Sequence, residues 1–269
     1  MCLSCVPPTE GIRQFDSDTP MGVIQKRGAL VAGIDIDSPP FGSLDPEGRP
    51  VGFTVDLARH LARGLGVELR LIPSTSDALL RLVDGGQVDV AFPSLALSEE
   101  WLRTYAPSDP YWVAHQRLLV DEGSDIVSFD DLEEKKVCAV LQPDVGVDPA
   151  LVHPGAETVE GDDQSCLARL RAGDVDAVTA SDYMLIEMRA REPGLQIVGE
   201  KITAEGFGAF VMRRQAVLTD YVNKIFVEVD ETAWEQSYRE WIVPVVPGDV
   251  PDPPTMTAEE AGALYPIPT

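Results

Sequence analysis

The sequence predicts an α/β fold of two lobes joined by two crossings, and three observations carry the prediction. Short apolar runs alternate with helical patterns, as in a mostly parallel sheet. That β-α-β order runs once through the first hundred residues and starts again after about residue 118. Two extended segments, 115–120 and 208–212, flank the second unit and read as crossings between the lobes. Residues 21–114 with 208–244 are therefore expected to form the first lobe and 115–207 the second. Residues 1–20 are expected to be a leader without fixed structure, and 245–269 a Pro-rich tail.

Each element follows from its local pattern. Residues 21–27 form a short helical lead-in, and 29–35 alternate as a strand that ends before Pro39 and Pro40, which cannot continue a ladder. Asp45, Pro46, Glu47 and Gly48 make a turn. Leu57, Leu61 and Leu65 recur at helical spacing over 55–65, with Gly64 and Gly66 closing the helix. Strand 67–72, helix 76–84 and strand 88–92 complete the first unit. The second unit has a strand at 118–121, a capped turn at Ser128, strands at 136–141 and 175–179, helices at 163–172 and 182–191, and a strand at 195–198. Helices over 216–230 and 234–241 return to the first lobe. In the tail, TAEEAGAL has the pattern of one or two helical turns, and it either wraps a lobe or hangs free.

Composition excludes several classes of function. The 269 residues include 45 acidic and 21 basic side chains, a formal net charge of -24, so phosphate backbones and anionic lipid surfaces repel the chain. The acidic groups are dispersed, which fits a solubilising surface better than an acidic docking face. No apolar run reaches the length of a membrane span. MCLSCVPPTEG has neither a basic n-region nor an apolar core, so it is not a complete secretory signal. Cys2 and Cys5 in that leader are compatible with the remnant of a lipoprotein N-terminus. Cys138 lies in a short strand and Cys166 at the start of a helix; a disulfide between them implies an oxidising compartment, and two buried free thiols are the alternative. His60, His115 and His153 are scattered rather than clustered as metal ligands, and no dinucleotide, Walker or nucleophile-elbow motif is present, so no metal, cofactor or covalent catalysis is expected.

The stretch LVAGIDIDSPPFGSLDPEGRPVGFTVDLARHLARGLG followed by VDVAFPSLALSEEWLRTYAPSDPYW resembles the polar amino-acid family of bacterial ABC-transporter solute-binding proteins (extracellular solute-binding protein family 3). The resemblance covers roughly residues 22–244 and is nearest the actinobacterial glutamate-type branch, whose members often carry a similar cysteine pair. It implies the two-lobe periplasmic-binding-protein-like fold, type II, with no enzymatic activity. It also implies an extracytoplasmic monomer, a lipoprotein or secreted, whose small-molecule ligand sits between the lobes and whose partner is an ABC permease or a membrane sensor.

In that family an arginine and backbone amides of the first lobe hold the ligand carboxylate, and an acid of the second lobe holds the ammonium. A buried zwitterion needs both charges compensated. Matched residue by residue, Ser94, Ala96 and Ser98 fall in the first-lobe binding loop, while Trp101 stands where the arginine is expected. Ser181 stands where the acid is expected, with Asp182 one position late. Gln142 and Pro143 occupy a loop that is usually rich in Gly and Thr.

The predicted cleft is therefore aromatic and acidic. Phe41, Trp101, Tyr111 and Trp112 supply rings, and Asp35, Asp37, Ser38 and Asp182 supply polar contacts, an environment for a cationic or neutral organic ligand. Trp101 is expected to face the cleft. A protein-interacting descendant with an unused cleft is the second reading. An enzyme resembling the dehydratases related to this family is the third, and the missing arginine counts against it.

Overall fold

The computed structural model describes residues 12–140, 152–228 and 231–264. The chain opens with α1 (Pro20–Arg27), β1 (Ala29–Asp35), a small hairpin of β2 (Ser43–Leu44) and β3 (Pro50–Val51), α2 (Phe53–Leu65), β4 (Glu68–Ser74), α3 (Ser76–Asp84), β5 (Val90–Phe92), α4 (Glu99–Thr104) and β6 (Tyr105–Pro107). It crosses through β7 (Trp112–Ala114) into β8 (Gln116–Asp121), β9 (Lys136–Val140), β10 (Glu157–Gly161), α5 (Asp163–Ala172), β11 (Ala177–Ser181), α6 (Asp182–Arg191) and β12 (Leu195–Val198). It returns through β13 (Glu205–Phe207) to β14 (Phe210–Met212), α7 (Ala216–Glu228), α8 (Glu231–Trp241) and α9 (Ala258–Ala263).

Two five-stranded sheets result, one per lobe. The first has the order β4-β1-β5-β14-β6, with β1 parallel to β4 and β5, and β14 antiparallel to β5. The second has the order β10-β9-β11-β8-β12, with β8 antiparallel to both of its neighbours. β7 and β13 pair antiparallel by themselves. They are the crossing, which corrects the expectation that 115–120 and 208–212 run between the lobes. Those two runs are almost wholly buried and each supplies a sheet with an antiparallel strand. Apolar alternation reveals an extended segment but not its partner.

The elements near the cleft are held by particular local contacts. α2 starts at Gly52, whose φ of 132° and whose missing Cβ, which would lie 2.4 Å from the Phe41 carbonyl oxygen, require glycine there. The Phe53 and Thr54 amides donate to the Pro40 and Phe41 carbonyls, fixing the Phe41 turn against the helix. In the second lobe, Cys138 of β9 and Cys166 of α5 form a disulfide with Cα atoms 5.5 Å apart. It ties α5, which reaches the cleft at its N-terminus, to the sheet.

The described end of the leader is more ordered than expected, and the tail takes the wrapped form of its two alternatives. Residues 1–11 lie outside the described residues, but Phe15 donates its amide to Gln25 Oε1 at 3.0 Å and sets its ring edge-on to Tyr221 at 5.6 Å. One aromatic side chain gives an otherwise polar segment an anchor. At the other end, Val245, Val246 and Val250 pack on the first-lobe core. α9 is capped by a reciprocal Thr257–Glu260 pair, and the Ala258 amide donates to Asp109 Oδ1 at 2.9 Å. Ala261 lies so close to Gly206 of β13 that a side chain at Gly206 would meet it at 2.6 Å. The tail wraps the first lobe and touches the crossing.

Candidate functional site

A cavity of about 630 Å³ lies between the lobes. From the first lobe it takes Asp35, at the C-terminal end of β1, with Asp37 and Ser38 just beyond, Ser76 at the start of α3, and Ser94 after β5. Clefts beyond the carboxyl ends of parallel strands are where α/β proteins bind ligands. From the second lobe α6 presents Tyr183, Glu187 and Arg191, spaced four apart and so on one face. Asp163 and Gln164 of α5 close the side, and Ser181 at the end of β11 adds a buried hydroxyl with no hydrogen-bond partner among the described residues.

The polar groups form one chain across the lobes. Ser76 Oγ donates to Asp35 Oδ2 and accepts the Ser94 amide at 2.8 Å. Ser38 Oγ donates to Glu187 Oε1, and the Ser38 and Ser94 hydroxyls are also hydrogen-bonded to each other. Arg191 donates to the Asp37 carbonyl and stands 3.9 Å from the Asp163 carboxylate. No described cation pairs with Asp35, Asp37 or Glu187. Burial pushes the Glu187 carboxyl up to about 8; the Ser38 hydrogen bond and the Arg191 charge oppose this, and the Asp35 and Asp163 charges add to it.

Behind these groups is a flat aromatic stack. The Tyr183 ring lies parallel to Phe41 at 3.7 Å on one face and to Phe207 at 4.1 Å on the other, with its hydroxyl 3.4 Å from Ser94 Oγ. Trp112 meets Phe41 edge-on at 5.0 Å. Burial raises the Tyr183 phenol well above its ordinary value, so it stays neutral at any physiological pH.

The structure gathers only part of the predicted set. Asp35, Asp37, Ser38, Ser94 and Ser181 line the cavity. Phe41 is its aromatic backing behind Tyr183, and Ala96 pairs by a β-bridge with Phe207. Ser98 caps α4, accepting the Trp101 amide at 3.4 Å. Tyr111 and Trp112 belong to the buried aromatic core. Gln142 lies outside the described residues.

Two expectations are corrected. Trp101 does not face the cavity: its ring packs on Tyr105 at 6.0 Å and Phe210 at 6.1 Å inside the first lobe. α4 turns that side chain toward the lobe interior, so occupying the position where an arginine is expected does not bring it to the ligand. Asp182 lines a separate cavity of about 220 Å³ with His115, Arg117 and Lys201. Its Oδ1 accepts the His115 amide at 3.2 Å, and burial raises its carboxyl above the ordinary range. Trp101→Ala is therefore expected to lower the melting temperature by removing packing from the first lobe, with solute affinity unchanged within about twofold. Thermal melts and binding titrations of the variant check this.

The residues missed in the sequence are Ser76, Asp163, Tyr183, Glu187, Arg191 and Phe207. Their signal was the four-residue spacing of Tyr183, Glu187 and Arg191 in a helix whose boundaries were already legible. Arg191 also places a positive charge in a cleft expected to be aromatic and acidic.

Comparison with known proteins agrees with this architecture. The chain is 26% identical over 239 residues to the L-cystine-binding protein of Escherichia coli K12, covering 85% of this chain and 88% of that protein. It is 27% identical over 240 residues to a glutamine-binding protein of an ABC transporter of Bacillus subtilis 168, covering 87% and 88%. Among solved structures, an ancestral cationic amino-acid solute-binding protein superposes with a TM-score of 0.68 at 26% identity, covering 83% of this chain and 100% of that one. The fold is the type II periplasmic-binding-protein fold expected from the motifs. A family model matches residues 30–244, and the chain belongs to the bacterial extracellular solute-binding proteins, family 3.

Proposed function

We propose that this chain is the extracytoplasmic solute-binding protein of an ABC-type importer or its associated sensor, and that its interlobe cavity takes a small organic cation bearing an ammonium group. In this reading the protein is a monomer, lipid-anchored or secreted, with lobes formed by 21–114 plus 208–244 and by 115–207, and its macromolecular partner is the permease or sensor. The disulfide fits an oxidising compartment.

The observation that carries the ligand class is the Glu187 carboxyl, hydrogen-bonded by Ser38 across the lobes and beside Asp35, with no described cation paired to it. The cavity lining carries the carboxyls of Asp35, Asp37, Asp163 and Glu187 against the single guanidinium of Arg191. That guanidinium already serves the Asp37 carbonyl and faces Asp163. An ammonium group supplies the missing counter-charge, and the Ser94 and Ser181 hydroxyls supply acceptors. An amino-acid carboxylate finds no free arginine fork along the described cavity lining, which sets this site apart from the usual one.

Because the Glu187 carboxyl is raised to about 8 and the bound cation favours its ionised form, binding releases a proton below that value. Affinity is expected to rise from about pH 6 to about pH 8 and then level off. A thermal-shift panel of diamines, quaternary amines, amino acids and sugars tests the class. Stabilisation by amines at the higher pH supports it. Stabilisation by glutamate or glutamine instead contradicts it, and silence across the panel favours a protein-interaction role.

A further inference from the structure

Tyr183 is carried by α6 of the second lobe, yet its ring partners Phe41, Trp112 and Phe207 belong to the first lobe or to the crossing. The two stacked partners are parallel to it within 7° and 4°, and all three rings are buried to 3% exposure or less. Phe41 and Phe207 therefore bound a slot one aromatic ring thick, opening on the same cavity that holds Glu187 and Ser94. A ring seated between two parallel rings is excluded from water on both faces only while the lobes stay together. Separating the lobes would expose stacked faces of these rings to water.

We propose that Tyr183 is a built-in occupant of this slot, which holds the lobes closed without solute and bars flat side chains from the cavity. The first half rests on the stacking geometry alone. The second half rests on the cationic-solute reading above and deepens it: the solute is confined to the polar part of the cavity, so compact aliphatic amines fit and amines with a planar ring do not. The Tyr183 hydroxyl, beside Ser94, also takes part of the space in which a larger solute would contact that serine.

The test compares the solute-free wild type, Tyr183→Ala and Tyr183→Phe by small-angle X-ray scattering, with and without p-cresol, which is the missing side chain as a free molecule. Wild type and Tyr183→Phe are expected to have the same compact radius of gyration and no response to p-cresol. Tyr183→Ala is expected to show a larger radius that p-cresol restores. Tyr105→Ala, which empties a site inside the first lobe, is the control: it lowers the melting temperature without changing the radius. If Tyr183→Ala does not fold, Tyr183→Leu replaces it, because a branched side chain is too thick for the slot and should also part the lobes.

A Tyr183→Ala or Tyr183→Leu protein as compact as the wild type overturns the proposal. Calorimetry with benzylamine, which joins a ring to an ammonium, reads the second half. Tyr183→Ala should bind it at least tenfold more tightly than the wild type does. Equal benzylamine affinity in both proteins overturns the exclusion of flat groups. Absence of benzylamine binding to a variant that opens and recloses with p-cresol leaves the occupant established and counts against the cationic-solute reading instead.

Discussion

Replacing Glu187 by glutamine is expected to weaken amine binding by on the order of 100-fold to several thousand-fold while making the solute-free protein more stable at alkaline pH. The loss follows from removing one partner of a cation–carboxylate pair shielded from bulk water, a change that costs about 3–5 kcal/mol. The gain has the opposite origin. Burial raises the Glu187 carboxyl from its ordinary 4.5 to about 8, so between those values the folded protein holds a proton that the unfolded chain has released. Stability therefore falls as pH rises through that window and levels off above about 8. With allowance for cavity water around a partly exposed side chain, the loss is about 2–4 kcal/mol, and glutamine abolishes it. Denaturant melts of the solute-free wild type and variant from about pH 5 to pH 9 read the stability difference. Titrations at pH 8 read the affinity. A variant that binds amines as the wild type does would remove Glu187 from the site.

The second large effect is expected from the disulfide. Cys138→Ala together with Cys166→Ala opens a bridge that closes a sequence separation of 28 residues, a loss of roughly 3 kcal/mol on the chain-entropy estimate. Both sulfurs are fully buried in the second-lobe core with Leu119, Leu170 and Leu185, so removing them also loosens packing. The melting temperature of the protein should drop by about 6–12 °C. α5 carries Asp163, Gln164 and Leu167 on the cavity wall, so its release from β9 should also weaken solute binding, by much less than Glu187→Gln does. Treatment with reductant should reproduce both effects in the wild type. A reduced protein that melts with the oxidised one would show that the bridge contributes little to folding.

Much of the fold was legible because its local signals agree with its tertiary partners. α3, α5 and α6 begin and end where the sequence places them, since Asp162 and Gly173 cap α5 and the apolar spacing of α3 matches its seat on β1 and β5. The crossings were displaced by a few residues because β8 and β14 are extended and apolar whether they bridge lobes or join sheets. Antiparallel pairing with β11 and β5 is a long-range fact that the residues themselves do not carry. The site was legible on the first-lobe side, where Asp35, Ser38 and Ser94 sit at strand ends. It was misread at Trp101 because matching a position in a loop does not set the direction of a side chain at the start of a helix. Glu187 was missed for a different reason. It lies in the middle of α6 among Arg189, Arg191 and Glu192, where charge ordinarily marks a solvated face, and only the apposition of Ser38 from the other lobe brings its carboxyl into the cleft.

The most direct test is isothermal titration calorimetry of the wild type with 1,4-diaminobutane, at about pH 7, in two buffers of different ionisation enthalpy. The account predicts saturable binding at one site with release of close to one proton per solute, both lost in Glu187→Gln. Binding with no proton release, or saturable binding of glutamate or glutamine in place of the diamine, would contradict it.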